Sequence, residues 1–69
     1  MAVNVTLVHE ARRLTTGANV HRVNGLIAMY LGAESDGALG AEAARQFEAE
    51  LVEHVRVIRV QRAKQGIYQ

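Results

Sequence analysis

The chain contains no cysteine, which closes off both a disulfide framework and a thiolate metal site. It also contains no proline, and no repeated or low-complexity stretch marks a linker, so residues 1–69 read as one domain. Aromatic side chains are few (Tyr30, Phe47 and Tyr68), and many of the apolar residues are Ala and Val. A core of such small groups suits close packing of helices better than a globule around a wide cavity. Charge is nearly balanced: 8 basic and 7 acidic residues leave +1, so no overall field draws the chain onto nucleic acid or an anionic membrane. No apolar run approaches the roughly 20 residues of a membrane-spanning helix. The opening stretch MAVNVTLVHEARR lacks the basic start and continuous apolar segment of a secretory signal, and the expected location is the cytoplasm.

What is present is one long amphipathic pattern. From Ser35 to Gln65 the apolar positions Ala44, Phe47, Leu51, Val55 and Ile58 recur three and four apart, which puts them on one side of a helix. Ser35 and Asp36 are good N-cap residues. Glu42, Glu48, Glu50 and Glu53 precede Arg56, Arg59, Arg62 and Lys64, an order that complements the helix dipole. Gly66 stands where a left-handed residue ends a helix, and Ile67 can supply the apolar contact that accompanies such a cap. The pattern predicts a helix with start, body and stop in agreement.

The first half is less regular. Val3, Val5 and Leu7 alternate with Asn4 and Thr6 as in a strand, but Leu7, Ala11, Leu14 and Ala18 then step by four, three and four. Helix from about Asn4 or Thr6, either of which can cap, is the better reading, with a strand over residues 1–8 as the alternative. Thr15-Thr16-Gly17 weakens that helix, so it either kinks or breaks near Gly17. Val20, Val23, Ile27 and Tyr30 continue an apolar stripe beyond it. The stretch from Leu31 to Gly37, with two glycines around capping residues, is the expected hairpin turn.

The expected fold is therefore all-α, a helical hairpin with a long second helix. Its core or dimer positions are Val23, Ile27, Phe47, Leu51, Val55 and Ile58. These apolar positions outnumber what two helices can cover. A domain of 69 residues buries only about 60% of its unfolded surface and lacks the usual staples, so two hairpins are expected to pair into a homodimeric four-helix bundle.

Chemistry is hard to find in this pattern. His9, His21 and His54 are far apart, no two at the three- or four-residue spacing of a helical zinc site, and no metal or cofactor is expected. Thr6, Thr15, Thr16 and Ser35 are possible nucleophiles, yet none is expected in a recognisable elbow or beside a histidine, so an enzyme is not expected. The stretch EARRLTTGANVHRVN has the outline of a helix-turn-helix, but Arg13 stands where a small residue belongs, and few base-reading side chains follow. A small DNA-binding regulator is thus the alternative reading. The favoured one is a protein-binding module, whose polar contacts are Arg12, Arg13, Arg56 and Arg59, with Tyr30 near the turn as an aromatic anchor.

In length, in lacking Cys and Pro, and in its helical-hairpin pattern, the chain resembles the small proteins that phages and plasmids encode to disable a host regulator. Among these are the anti-activators of quorum-sensing transcription factors of the LuxR type. The resemblance implies a host protein as partner, such as a transcription factor, inhibited by having part of its surface occupied. It assigns no residue a role.

Overall fold

The computed structural model describes residues 3–66, and every regular element in them is helical. Helix α1 is Val5–Leu14, α2 is Asn19–Ser35 and α3 is Ala41–Lys64, with a single 3-10 turn, Gly37–Leu39, between the last two. Met1, Ala2 and Ile67 to Gln69 lie outside the described residues, and with them the expected apolar contact of Ile67.

The helix at the start is capped by Asn4, whose side-chain oxygen accepts the Leu7 N–H at 3.1 Å. From Val5 onward the strand alternative is ruled out. Leu7, Val8, Ala11 and Leu14 all point inward, which a helical period allows and an alternating one does not. At Gly17 the chain breaks rather than kinks. Thr15 is extended, its hydroxyl donates to the Ala11 carbonyl at 2.6 Å, and Gly17 adopts φ +67°, a conformation that favours glycine.

The second turn differs from expectation. Helix α2 continues through Gly32 to Ser35, because Tyr30 and Ala33 are buried and their packing outweighs the helix cost of the glycine. Ser35 therefore does not cap the next helix. Its hydroxyl donates back to the Leu31 carbonyl, and Asp36 closes α2 instead of opening α3. The long helix starts at Ala41, behind Gly40. This glycine has an ordinary φ of −95°, but a Cβ on it would lie 1.9 Å from the Ala33 carbonyl oxygen, so only a residue without a side chain lets the two helices meet there. At the far end Gly66 takes φ +77° and donates to the Ala63 carbonyl, as the sequence pattern predicts.

Polar contacts fix the topology. Tyr30 and Arg22 of α2 meet Glu48 and His54 of α3, so those helices are antiparallel. Asn4, Glu10 and Leu14 meet Glu48, Arg59 and Arg62, so α1 runs parallel to α3. The result is a three-helix bundle measuring 42 × 19 × 15 Å. Its core joins Leu7, Val8, Ala11 and Leu14 of α1 to Val23, Leu26, Ile27, Tyr30 and Ala33 of α2 and Ala44, Leu51 and Val55 of α3. Phe47 and Ile58 flank this core half-buried. The two-helix hairpin is thus corrected to three helices: α1 folds back and covers the apolar face that a second hairpin was expected to cover.

Two substitutions test this packing by urea denaturation. Gly40→Ala should lower stability by about 1–3 kcal/mol, the range for forcing a methyl group into occupied space. Tyr30→Phe keeps the ring but removes the acceptor of the Asn4 N–H, which it holds at 2.9 Å; a loss of about 1 kcal/mol is expected.

Candidate contact surface

The fold brings together one pair that the sequence keeps 39 residues apart, Thr15 and His54, with Thr15 Oγ1 2.8 Å from His54 Nε2. Thr15 is buried, and its hydroxyl proton is committed to the Ala11 carbonyl, so its oxygen accepts from the Nε2–H of His54. That tautomer leaves Nδ1 free to accept from Arg22 Nη2 at 3.5 Å. An imidazole that donates to a hydroxyl is not placed to take a proton from it, the reverse of what nucleophile activation requires. The trio braces the α1–α2 turn against α3. Burial, and then the Arg22 charge, hold the His54 pKa below its ordinary value.

The cleft next to this brace, of about 160 Å³, is lined by Leu14, Thr15, Thr16, Ile58 and Arg62 among others. It is smaller than the few hundred Å³ typical of a ligand pocket, and Arg62 fills one side by donating to the Leu14 carbonyl at 3.0 Å. Among the described residues, no three His, Cys, Asp or Glu side chains are grouped to hold a metal ion. No helix among them is long and apolar enough to cross a membrane.

The helix-turn-helix outline meets a similar limit. Asn19, His21, Arg22 and Asn24 are exposed on the first turns of α2, but Arg13 is exposed too. The two helices do not touch at the position where that motif packs a small residue.

The remaining candidates are on the surface. Tyr30, read from sequence as a contact residue near the turn, is 1% exposed and belongs to the core, because the turn lies five residues further on than expected and α1 closes over it. Arg12 and Arg13 are exposed on the last turn of α1, where the helix dipole favours cations. No hydrogen bond among the described residues joins them to α3. Arg56 and Arg59 share the outer side of α3. Arg56 pairs with Glu53 one turn back, which holds the Glu53 carboxyl below its usual range, and Arg59 reaches Glu10 of α1. Beside them stand Val52, Val57 and Val60, which are 49%, 38% and 43% exposed. Sequence reasoning named the arginines and missed the valines. The signal was the second stripe at Ala49, Val52, Arg56, Val60 and Ala63, again three and four apart but on the side away from the core.

No protein-family model, curated protein or solved structure matches the chain.

The brace predicts a pH dependence. A histidine whose pKa is lowered by folding binds fewer protons folded than unfolded, so its full contribution to stability is present above the ordinary value of 6.5. It is lost as pH falls below 6.5 and through the folded-state value. Urea midpoints should decline over that range in the parent chain, and the decline should flatten in His54→Gln, which keeps a donor toward Thr15 without titrating.

Proposed function

We propose that the chain is a non-enzymatic protein-binding regulator that inhibits its partner by covering part of the partner's surface, and that the outer side of α3 makes the contact. The observation that carries this reading is the outer side of α3, where Val52 and Val60 flank Arg56 in one stripe and half-exposed Val57 and Arg59 lie on its two sides. Apolar area beside guanidinium groups suits a groove rimmed by carboxylates. Both arginines already hold carboxylates of this chain, Glu53 and Glu10, at exposed positions. Exposed pairs contribute little to folding and exchange readily for a partner's acids. The resemblance to anti-activators of LuxR-type factors favours a host transcription factor as that partner.

Self-association belongs to the same proposal. A chain this short gains stability from a second copy, and with α1 over the hairpin's inner flank, the second copy sits on an outer face.

A second reading, DNA binding, draws on the break at Gly17, which leaves Asn19, His21, Arg22 and Asn24 exposed at the start of a helix.

Affinity capture from host lysate, read by mass spectrometry, tests the choice. The parent chain should retain one defined protein. Arg56→Ala and Val60→Asp should each reduce the captured amount at least tenfold while leaving the circular dichroism unchanged. Equal capture by both variants removes α3 as the contact. A mobility shift of duplex DNA that weakens steeply with salt transfers the reading to nucleic acid.

A further inference from the structure

We infer that a second copy of this chain docks on the outer face of α2, the two helices antiparallel about a two-fold axis between Ala28 and Met29. The inference rests on the self-association part of the proposed function and is independent of the α3 surface.

Its first support is that the middle of α2 has no charged side. From Val23 to Ala33 no residue is charged, whichever way it points. Val23, Leu26, Ile27, Tyr30 and Ala33 face the core, but Gly25, Ala28, Met29 and Gly32 face outward, and Met29 is 51% exposed. Apart from exposed Asn24 this stretch is apolar on every side, and a helix of that kind is ordinarily covered all round. Here α1 and α3 cover one side only. Open space surrounds Gly25 and Gly32, so nothing inside the chain needs a glycine there, although each weakens the helix. Without side chains at those positions, another helix can approach closely.

The second support is electrostatic, and it names the occupant. Helices α1 and α3 place their charges in dipole order, with Arg12 and Arg13 ending α1, Glu42 opening α3, and Arg62 and Lys64 closing it. Helix α2 does the opposite. It has no acid in its first turn and no base in its last; His21 and Arg22 stand at its start, and Glu34 and Asp36 at its end. Within one chain this order is unfavourable. An antiparallel copy reverses the sign of the effect, because the end of α2 that carries Arg22 then lies alongside the end that carries Glu34 and Asp36, and the two helix dipoles oppose. With the axis between residues 28 and 29, His21 faces Asp36, Gly25 faces Gly32, and Ala28 faces Met29. One register therefore sets an imidazole N–H against the Asp36 carboxylate, glycine against glycine and the apolar centres against each other, and it is self-complementary as a two-fold interface must be.

Sedimentation equilibrium on the full chain tests this. The parent should show a monomer–dimer equilibrium. His21→Glu and Asp36→Arg should each raise the dimer dissociation constant at least tenfold, and each puts a dipole-favoured charge on its own helix, so the fold is not put at risk. The double variant sets a carboxylate against a guanidinium in the same register and should return to within about threefold of the parent. Gly32→Leu should also dissociate the dimer, and Arg56→Ala should not. A parent dimer untouched by the α2 substitutions overturns the α2 interface while self-association stands. A double variant as weak as the singles overturns the register. A parent that stays monomeric to millimolar concentration overturns both.

Discussion

Tyr30 is the side chain on which the arrangement of the three helices depends. Its ring is almost wholly buried, and its hydroxyl lies where α1 begins and α3 passes. The oxygen accepts the N–H of Asn4, and the hydroxyl proton points toward Glu48, 3.5 Å away, which also receives the Asn4 side-chain amide. A tyrosine can be buried in an apolar core only if its polar end finds partners. Here those partners come from both other helices, so the burial of one ring sets the place of α1 along α3. At the opposite end of α1, Thr15, His54 and Arg22 make a second polar junction among the same three helices. Between the two junctions the contacts are apolar, and they carry the stability while the junctions fix the register.

Much of this was legible from spacing. The inward stripe of α3, the inward positions Val23 and Ile27, a cap for α1 at one of Asn4 and Thr6, and the Gly66 stop follow from a 3.6-residue period and from cap chemistry. These are local properties, and local properties survive in one dimension. The failures have a different origin. Ser35 and Asp36 have the composition of an N-cap, but the burial of Tyr30 and Ala33 carries α2 past them, and packing decides where propensity is nearly neutral. Tyr30 itself read as a surface anchor because its cover, α1, is distant in sequence. The meeting of Thr15 with His54 is of the same kind, since no window along the chain contains both. Gly40 looked like one more turn glycine, and its reason, the Ala33 carbonyl against it, exists only once two helices cross.

For the candidate surfaces the division is similar. The arginines on α1 and α3 were visible as residue types. That Arg59 meets Glu10 of α1, that Arg62 donates to the carbonyl at the end of α1, and that Arg56 rests on Glu53 are facts of the fold, and they sort three similar residues into different jobs. What remains exposed is unevenly distributed: α3 offers valines among cations, whereas α2 offers an uncharged middle between ends of opposite sign. The two faces lie on different helices, so the two contacts proposed above do not compete for the same surface.

The two connections of the bundle differ in mechanical character. At Gly40 backbone lies against backbone with no room for a methyl group, so α2 and α3 are clamped at a set crossing and behave as one stiff bracket. At Gly17 the surroundings are empty and the left-handed conformation is the sole demand on the residue. Changes in chain length, such as an inserted loop or a circular permutation, are therefore compatible with the connection at Gly17 and incompatible with the one at Gly40.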